Sequence, residues 1–194
     1  MLKKIPNILT IGRIIIVPFF VLAFYLPGFY GDLTALILFI VASFTDFLDG
    51  MLARMLGEES KLGELLDPIA DKIIVATALI LLVMDGTIKH YEVIAAIIIL
   101  TREILISGLR EFLAKSQISM PVTGLAKFKT FIQMFAIAIL LTGESGNVII
   151  NFQDYNAHTI GIILLWLSAF LTLFTGYDYM RKGIDHAMAE DNKD

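Results

Sequence analysis

The residues with the most chemical content are four aspartates, Asp46, Asp49, Asp67 and Asp71, in a stretch apolar enough to lie in a membrane. A carboxylate at such depth is costly and tends to mark function. Asp46 and Asp49 are three residues apart and Asp67 and Asp71 four apart, so on helices each pair shares one face. Two such faces turned toward each other make a four-carboxylate site, and like charges that close repel unless a cation lies between them. Oxygen-only ligands suit hard divalent ions. Mg²⁺, which often shares its ligands with substrate phosphates, fits best, as a pair of ions, with Mn²⁺ as the alternative. One carboxylate at the edge of such a cluster is placed to take a proton from an attacking alcohol.

The elements that must hold these aspartates are transmembrane helices. Of the 194 residues 57% are hydrophobic and only 18% charged, and the mean hydropathy is +0.79, the balance of an integral membrane protein. Six runs are apolar enough to span, near 7–27, 33–54, 67–84, 92–113, 124–143 and 157–178. Turn residues separate them: Pro27-Gly28, Gly57 to Gly63, Asp85-Gly86, Ser116 to Pro121 and Gly143 to Asn156. The expected fold is all-α and polytopic, a single domain over residues 1–194 with a polar cavity open to the cytoplasm. Lys3 and Lys4 before an apolar run imitate a signal peptide, but Arg13 and Pro18 interrupt the run, so it reads as a first span with Met1 to Ile5 along the interface. There is no cysteine, which excludes disulfides, thiolate catalysis and zinc–thiolate sites. Nothing in the charge pattern points to nucleic acid.

Basic residues orient the spans. With the N-terminus inside, Lys3, Lys4, Arg54, Lys61, Arg110, Lys115, Lys127, Lys129, Arg181, Lys182 and Lys193 flank the cytoplasmic ends, against Lys89 alone outside. Both termini are then cytoplasmic. On this topology Asp46 lies about 12 Å deeper than Arg54, and Arg102 about 12 Å deeper than Arg110, at 1.5 Å per residue. Asp67 falls at the mouth of the third span and Asp71 one turn in. Arg13, Lys127 and Lys129 fall in opening turns, so the charged residues gather in the cytoplasmic half, on a cavity that an anionic, half-lipid substrate such as a pyrophosphate lipid would suit. Arg54, Arg110, Lys127 and Lys129 also stand where topology alone puts anchors. Gly50 and Ala53 remove bulk beside Asp49, for a ligand or for helix packing. His90, His158 and His186 lie away from the cluster and are not its bases.

The pattern D-x2-D-G-x2-A-R-x8-G-x3-D-x3-D, carried by Asp46, Asp49, Gly50, Ala53, Arg54, Gly63, Asp67 and Asp71, resembles the signature of the CDP-alcohol phosphotransferases at all eight positions. The resemblance implies metal binding by Asp46, Asp49, Asp67 and Asp71, with Asp71 also the general base. It implies a CDP-diacylglycerol site lined by Gly50, Ala53, Arg54 and Gly63, with CMP as the leaving group. The stretches Ile5 to Arg13, Thr101 to Glu111 and Gly124 to Thr130 resemble a bacterial branch of that family, the phosphatidylglycerophosphate synthases. That branch implies sn-glycerol 3-phosphate as acceptor, held by Arg13, Arg110, Lys127 and Lys129, in a bacterial inner (plasma) membrane, and it implies a homodimer. A phosphorylated acceptor calls for the cations those positions supply.

Two other readings follow from the same residues. A family member could use another acceptor, inositol phosphate or, as in cardiolipin synthesis, phosphatidylglycerol. A divalent-cation transporter could also carry intramembrane aspartates, but it needs a continuous polar path, and Val17 to Leu26, Leu33 to Val41 and Ala76 to Val83 are apolar.

Overall fold

Apolar runs of good helix formers, stopped by turn residues, set the elements of this chain. The computed structural model describes residues 5–56, 61–115, 124–143, 145–146 and 156–191. Its regular structure is helical, with no strand among the described residues: α1 (Ile5–Ala23), α2 (Phe29–Leu56), α3 (Lys61–Met84), α4 (Glu92–Lys115), α5 (Gly124–Leu140) and α6 (Ala157–Asp191). Each stands where a span is expected, and the ends differ for identifiable reasons.

The α1–α2 connection is tight. Successive short backbone bonds (Phe24 N to Val21 O at 3.2 Å, Leu26 N to Ala23 O at 3.1 Å) close α1 before Pro27, four residues earlier than expected. Gly28 then takes φ +64°, and a Cβ on Gly31 would overlap the Leu26 carbonyl oxygen, so glycine is required at the start of α2. At the other end of the chain, Asn156 caps α6: its Oδ1 accepts from Thr159 N at 2.9 Å and Thr159 Oγ1 at 2.8 Å, three residues in.

Two ends correct the sequence reading. The third helix begins at Lys61 rather than 67, so Gly63 lies inside it and Asp67 sits about 9 Å along its axis instead of at its mouth. Nothing between Lys61 and Asp67 stops a helix; one interior glycine only weakens it. The last helix continues to Asp191, well past 178, because the polar segment after Tyr177 contains no proline. Of the expected interfacial segment Met1 to Ile5, Ile5 opens α1 and residues 1–4 lie outside the described residues, as do 57–60 and 116–123 of the expected turns.

The chain divides into two compact units. The first holds α1, α2, α3, α5 from Met134 onward and α6 up to Ile162. Within it α1 packs against both α2 and α3. The ring of Phe20 on α1 lies 6.3 Å from that of Phe39 on α2, beside buried Ala35 and Ala42. Ser145 Oγ donates to Asp32 Oδ2 at 2.8 Å, and His158 Nε2 donates to the Thr87 carbonyl at 2.8 Å, so this histidine ties the start of α6 to the loop after α3. The second unit holds α4, α5 up to Gln133 and α6 from Ile163, with Ala95, Ile99, Ile106 and Leu113 buried on α4 and Leu165, Ala169 and Tyr179 on α6.

Polarity along the helices is the reverse of a water-soluble protein. Ile11, Ile15, Phe19 and Leu22 are exposed in one stripe of α1, Leu33, Ile37, Ile40 and Phe44 in one of α2, and Ile163, Leu167, Phe170 and Phe174 in one of α6. Meanwhile Thr10, Arg13, Lys129, Gln133, Ser168, Thr172 and Thr175 are buried. Lipid accommodates such stripes, and water does not. Among the described residues, Ala157–Arg181 is the stretch long and apolar enough to cross a membrane by length and composition, with Thr10–Ala23, Phe29–Thr45 and Lys72–Met84 as shorter apolar runs. Helix α4 misses that criterion because Arg102, Glu103 and Arg110 interrupt it.

Candidate active site

The acidic residues belong to the first unit. Asp46, Asp49, Gly50, Ala53 and Arg54 occupy the last three turns of α2, on unbroken helical backbone, and Gly63, Asp67 and Asp71 occupy the first three turns of α3. The i,i+3 and i,i+4 registers therefore hold on the backbone, which sets each aspartate pair on one side of its helix. The side chains of all eight lie outside the described residues. Just before Asp46, the hydroxyls turn back onto the helix: Ser43 Oγ donates to Phe39 O at 2.7 Å, and Thr45 Oγ1 contacts Val41 O and Ala42 O at 2.9 and 2.8 Å. They satisfy themselves within α2 and leave the polar chemistry of this segment to the carboxylates.

Arg13 is on α1, the helix that packs against both aspartate-bearing helices. It is only 1% exposed, with Thr10 one turn earlier also buried. Burial of a guanidinium is expensive unless it is engaged.

The other cations belong to the second unit and divide into two kinds. Arg110 on α4 and Lys127 on α5 are exposed. Lys129 is 2% exposed, and its ammonium bonds to Glu103 Oε1. Glu103 also lies 3.7 Å from Arg102 Nη1, while Arg102 Nη2 donates to Thr175 Oγ1 on α6 at 3.1 Å. Sequence reasoning singled out Arg102 for its depth and Lys129 for its position, but passed over Glu103. Half of the signal was available, since an acid in the middle of an apolar helix needs a partner; that the partner is Lys129 is a finding of the structure.

Among the sequence-predicted residues the structure thus gathers Asp46, Asp49, Asp67, Asp71 and Arg13 onto three helices of one unit, and Arg110, Lys127 and Lys129 onto two helices of the other. An oxygen-only donor set on neighbouring helical registers fits hard divalent cations, and the guanidinium and ammonium groups fit phosphate.

Comparison with known proteins bears on what this set is for. The sequence profile described as CDP-alcohol phosphatidyltransferase matches residues 3–174, from the start of α1 into the middle of α6. A relative from Rickettsia felis named CDP-diacylglycerol–glycerol-3-phosphate 3-phosphatidyltransferase is 44% identical over 92% of this chain and 94% of its own length. Relatives of the same name from Cereibacter sphaeroides and Shigella flexneri are 37% and 38% identical, over 96% and 91% of this chain and 98% and 93% of their own lengths. With the eight signature positions in register on α2 and α3 and the profile running across nearly the whole chain, this protein belongs to the CDP-alcohol phosphatidyltransferase family.

Proposed function

We propose that the protein transfers the phosphatidyl group of CDP-diacylglycerol to sn-glycerol 3-phosphate, releasing CMP and phosphatidylglycerol phosphate, as a step of phospholipid synthesis. What carries this reading is the near-full-length likeness to relatives whose common name states that reaction, in a chain that keeps every fixed position of the signature. The match across both units supports treating residues 1–194 as a single catalytic domain.

In this mechanism Asp46, Asp49, Asp67 and Asp71 would hold two divalent cations, Mg²⁺ by preference with Mn²⁺ as a substitute, which would supply charge neutralisation for the transferred phosphoryl group and the leaving CMP. Gly50 and Ala53 leave room for the nucleotide against the α2 backbone, Gly63 does the same on α3, and Arg54 pairs with a phosphate. Arg13, Arg110, Lys127 and Lys129 bind the phosphate of the acceptor through charge-assisted hydrogen bonds. The acceptor hydroxyl then attacks the phosphatidyl phosphorus, the bond from that phosphorus to the CMP oxygen breaks, and Asp71 takes the hydroxyl proton. A metal-bound carboxylate is a weak base, and it serves because the proton grows acidic as the new P–O bond forms.

The same reading places the protein in the bacterial inner (plasma) membrane as a homodimer of six-span subunits. Both termini and a polar cavity face the cytoplasm, where glycerol 3-phosphate is dissolved. The exposed apolar stripes on α1, α2 and α6 and the excess of basic residues at one set of helix ends support it. An acceptor panel tests the assignment. Purified enzyme given CDP-diacylglycerol should release CMP with sn-glycerol 3-phosphate and not with inositol phosphate or phosphatidylglycerol. Turnover with either of those in preference to glycerol 3-phosphate would reassign the acceptor.

A further inference from the structure

Lysine on a flexible four-carbon stem does not stay buried by default; left alone, it carries its ammonium out to water. Lys129 is nevertheless 2% exposed, and what meets its ammonium is the carboxylate of Glu103 on α4. That carboxylate serves a second cation, since Arg102 Nη1 lies 3.7 Å from it. Arg102 is in turn fixed from the α6 side: Nη2 donates to Thr175 Oγ1 at 3.1 Å, and its shaft crosses Gly176 so closely that a Cβ there would stand 3.2 Å from Cγ and 3.3 Å from Nε. All of these residues lie within the second unit.

One carboxylate thus meets two cations in secluded surroundings, and guanidinium and ammonium groups are the donors that receive a phosphate. The same interior also has unused polar capacity. Arg102 Nε, Gln133 Oε1 and Thr172 Oγ1 are buried and have no hydrogen-bond partner among the described residues. Gln133 follows Lys129 by one turn on the same face of α5, and Thr172 precedes Gly176 by one turn on α6. Buried polar atoms are nearly always satisfied, so three left open around a cationic pair point to a polar guest.

We propose that Glu103 is a positioning residue for the acceptor: it holds Lys129, and with it Arg102, in the orientation that receives the phosphate of glycerol 3-phosphate. This rests on the acceptor assignment made above. Without Glu103 the lysine stem must be ordered at each binding event, which weakens acceptor binding. A carboxylate that merely competed with phosphate for Lys129 would have the opposite effect, because its removal would tighten binding. The two accounts therefore differ in sign.

The test uses the full-length enzyme in lipid–detergent micelles, with KM measured for both substrates in wild type, Glu103→Gln, Glu103→Asp, Lys129→Met and the Glu103→Gln/Lys129→Met double variant. Glu103→Gln should raise KM for glycerol 3-phosphate about tenfold or more, well beyond any change in KM for CDP-diacylglycerol. Glu103→Asp, which keeps the charge, should fall between it and wild type. On the Lys129→Met background the Glu103→Gln change should add little, because the group it positions is gone. An unchanged or lowered KM for glycerol 3-phosphate, equal effects on both substrates, or full additivity in the double variant would overturn the proposal. Should Glu103→Gln fail to fold, Glu103→Asp decides alone, and a wild-type KM in that variant overturns the proposal. Wild-type CMP release that ignores glycerol 3-phosphate would instead show that the acceptor assignment itself is wrong.

Discussion

Replacing a carboxylate by its amide keeps shape and removes one charge, so it separates metal binding from helix packing at each aspartate. Asp49→Asn and Asp67→Asn should abolish CMP release while leaving expression and membrane insertion intact, since each removes a charged ligand from a hard-cation site. Activity near wild type at low Mg²⁺ in either variant would sink the metal assignment. Asp71→Asn asks a different question. Loss of proton acceptance costs about 10²- to 10⁴-fold in rate, and that loss should persist when Mg²⁺ is raised to saturation. Full recovery of kcat at high Mg²⁺ would make Asp71 a ligand only. Arg110→Ala and Lys127→Ala should each raise KM for glycerol 3-phosphate by about 10- to 100-fold, more than KM for CDP-diacylglycerol; equal effects would return these exposed residues to the role of membrane anchors. At this scale the spacing of the aspartates was legible because chemistry within one helix is written in i,i+3 and i,i+4 steps. The Glu103–Lys129 pair was not, because its partners lie 26 residues apart on different helices and nothing local marks which buried cation an acid will meet.

Helix positions followed from apolar runs and helix ends from single residues. Asn156 closed the turn segment read before the last span, and in the structure it caps α6 by accepting from Thr159. Asn156→Ala should cost about 1 kcal/mol, read as a lower melting temperature in detergent with little change in KM for either substrate. Gly31→Ala should cost more, about 1–3 kcal/mol for a forced overlap, because the new methyl group meets the Leu26 carbonyl where α1 turns into α2. A variant as stable as wild type would mean that the turn has room to relax. The early start of α3 and the late end of α6 were not legible for a common reason: hydropathy reports where lipid begins, and a helix can continue into polar sequence, through Gly63 and Pro68 in α3 and through Gly183 in α6.

For the molecule as a whole, composition announced a membrane protein, and the inverted polarity of the helices agrees with it. The absence of cysteine makes sidedness easy to test. In intact cells a membrane-impermeant maleimide should label Tyr91→Cys, in the exposed loop before α4, and should reach Lys193→Cys only after permeabilisation. Labelling of Lys193→Cys in intact cells would invert the topology and put the aspartates on the wrong side for a cytoplasmic acceptor. The central claim is chemical, and one assay addresses it most directly: CMP release by the purified full-length protein from CDP-diacylglycerol, with and without sn-glycerol 3-phosphate and with and without Mg²⁺. Release that requires both additions, with phosphatidylglycerol phosphate formed in equal amount, is the predicted result. Release that proceeds unchanged without glycerol 3-phosphate, or in the presence of a chelator, would contradict the account.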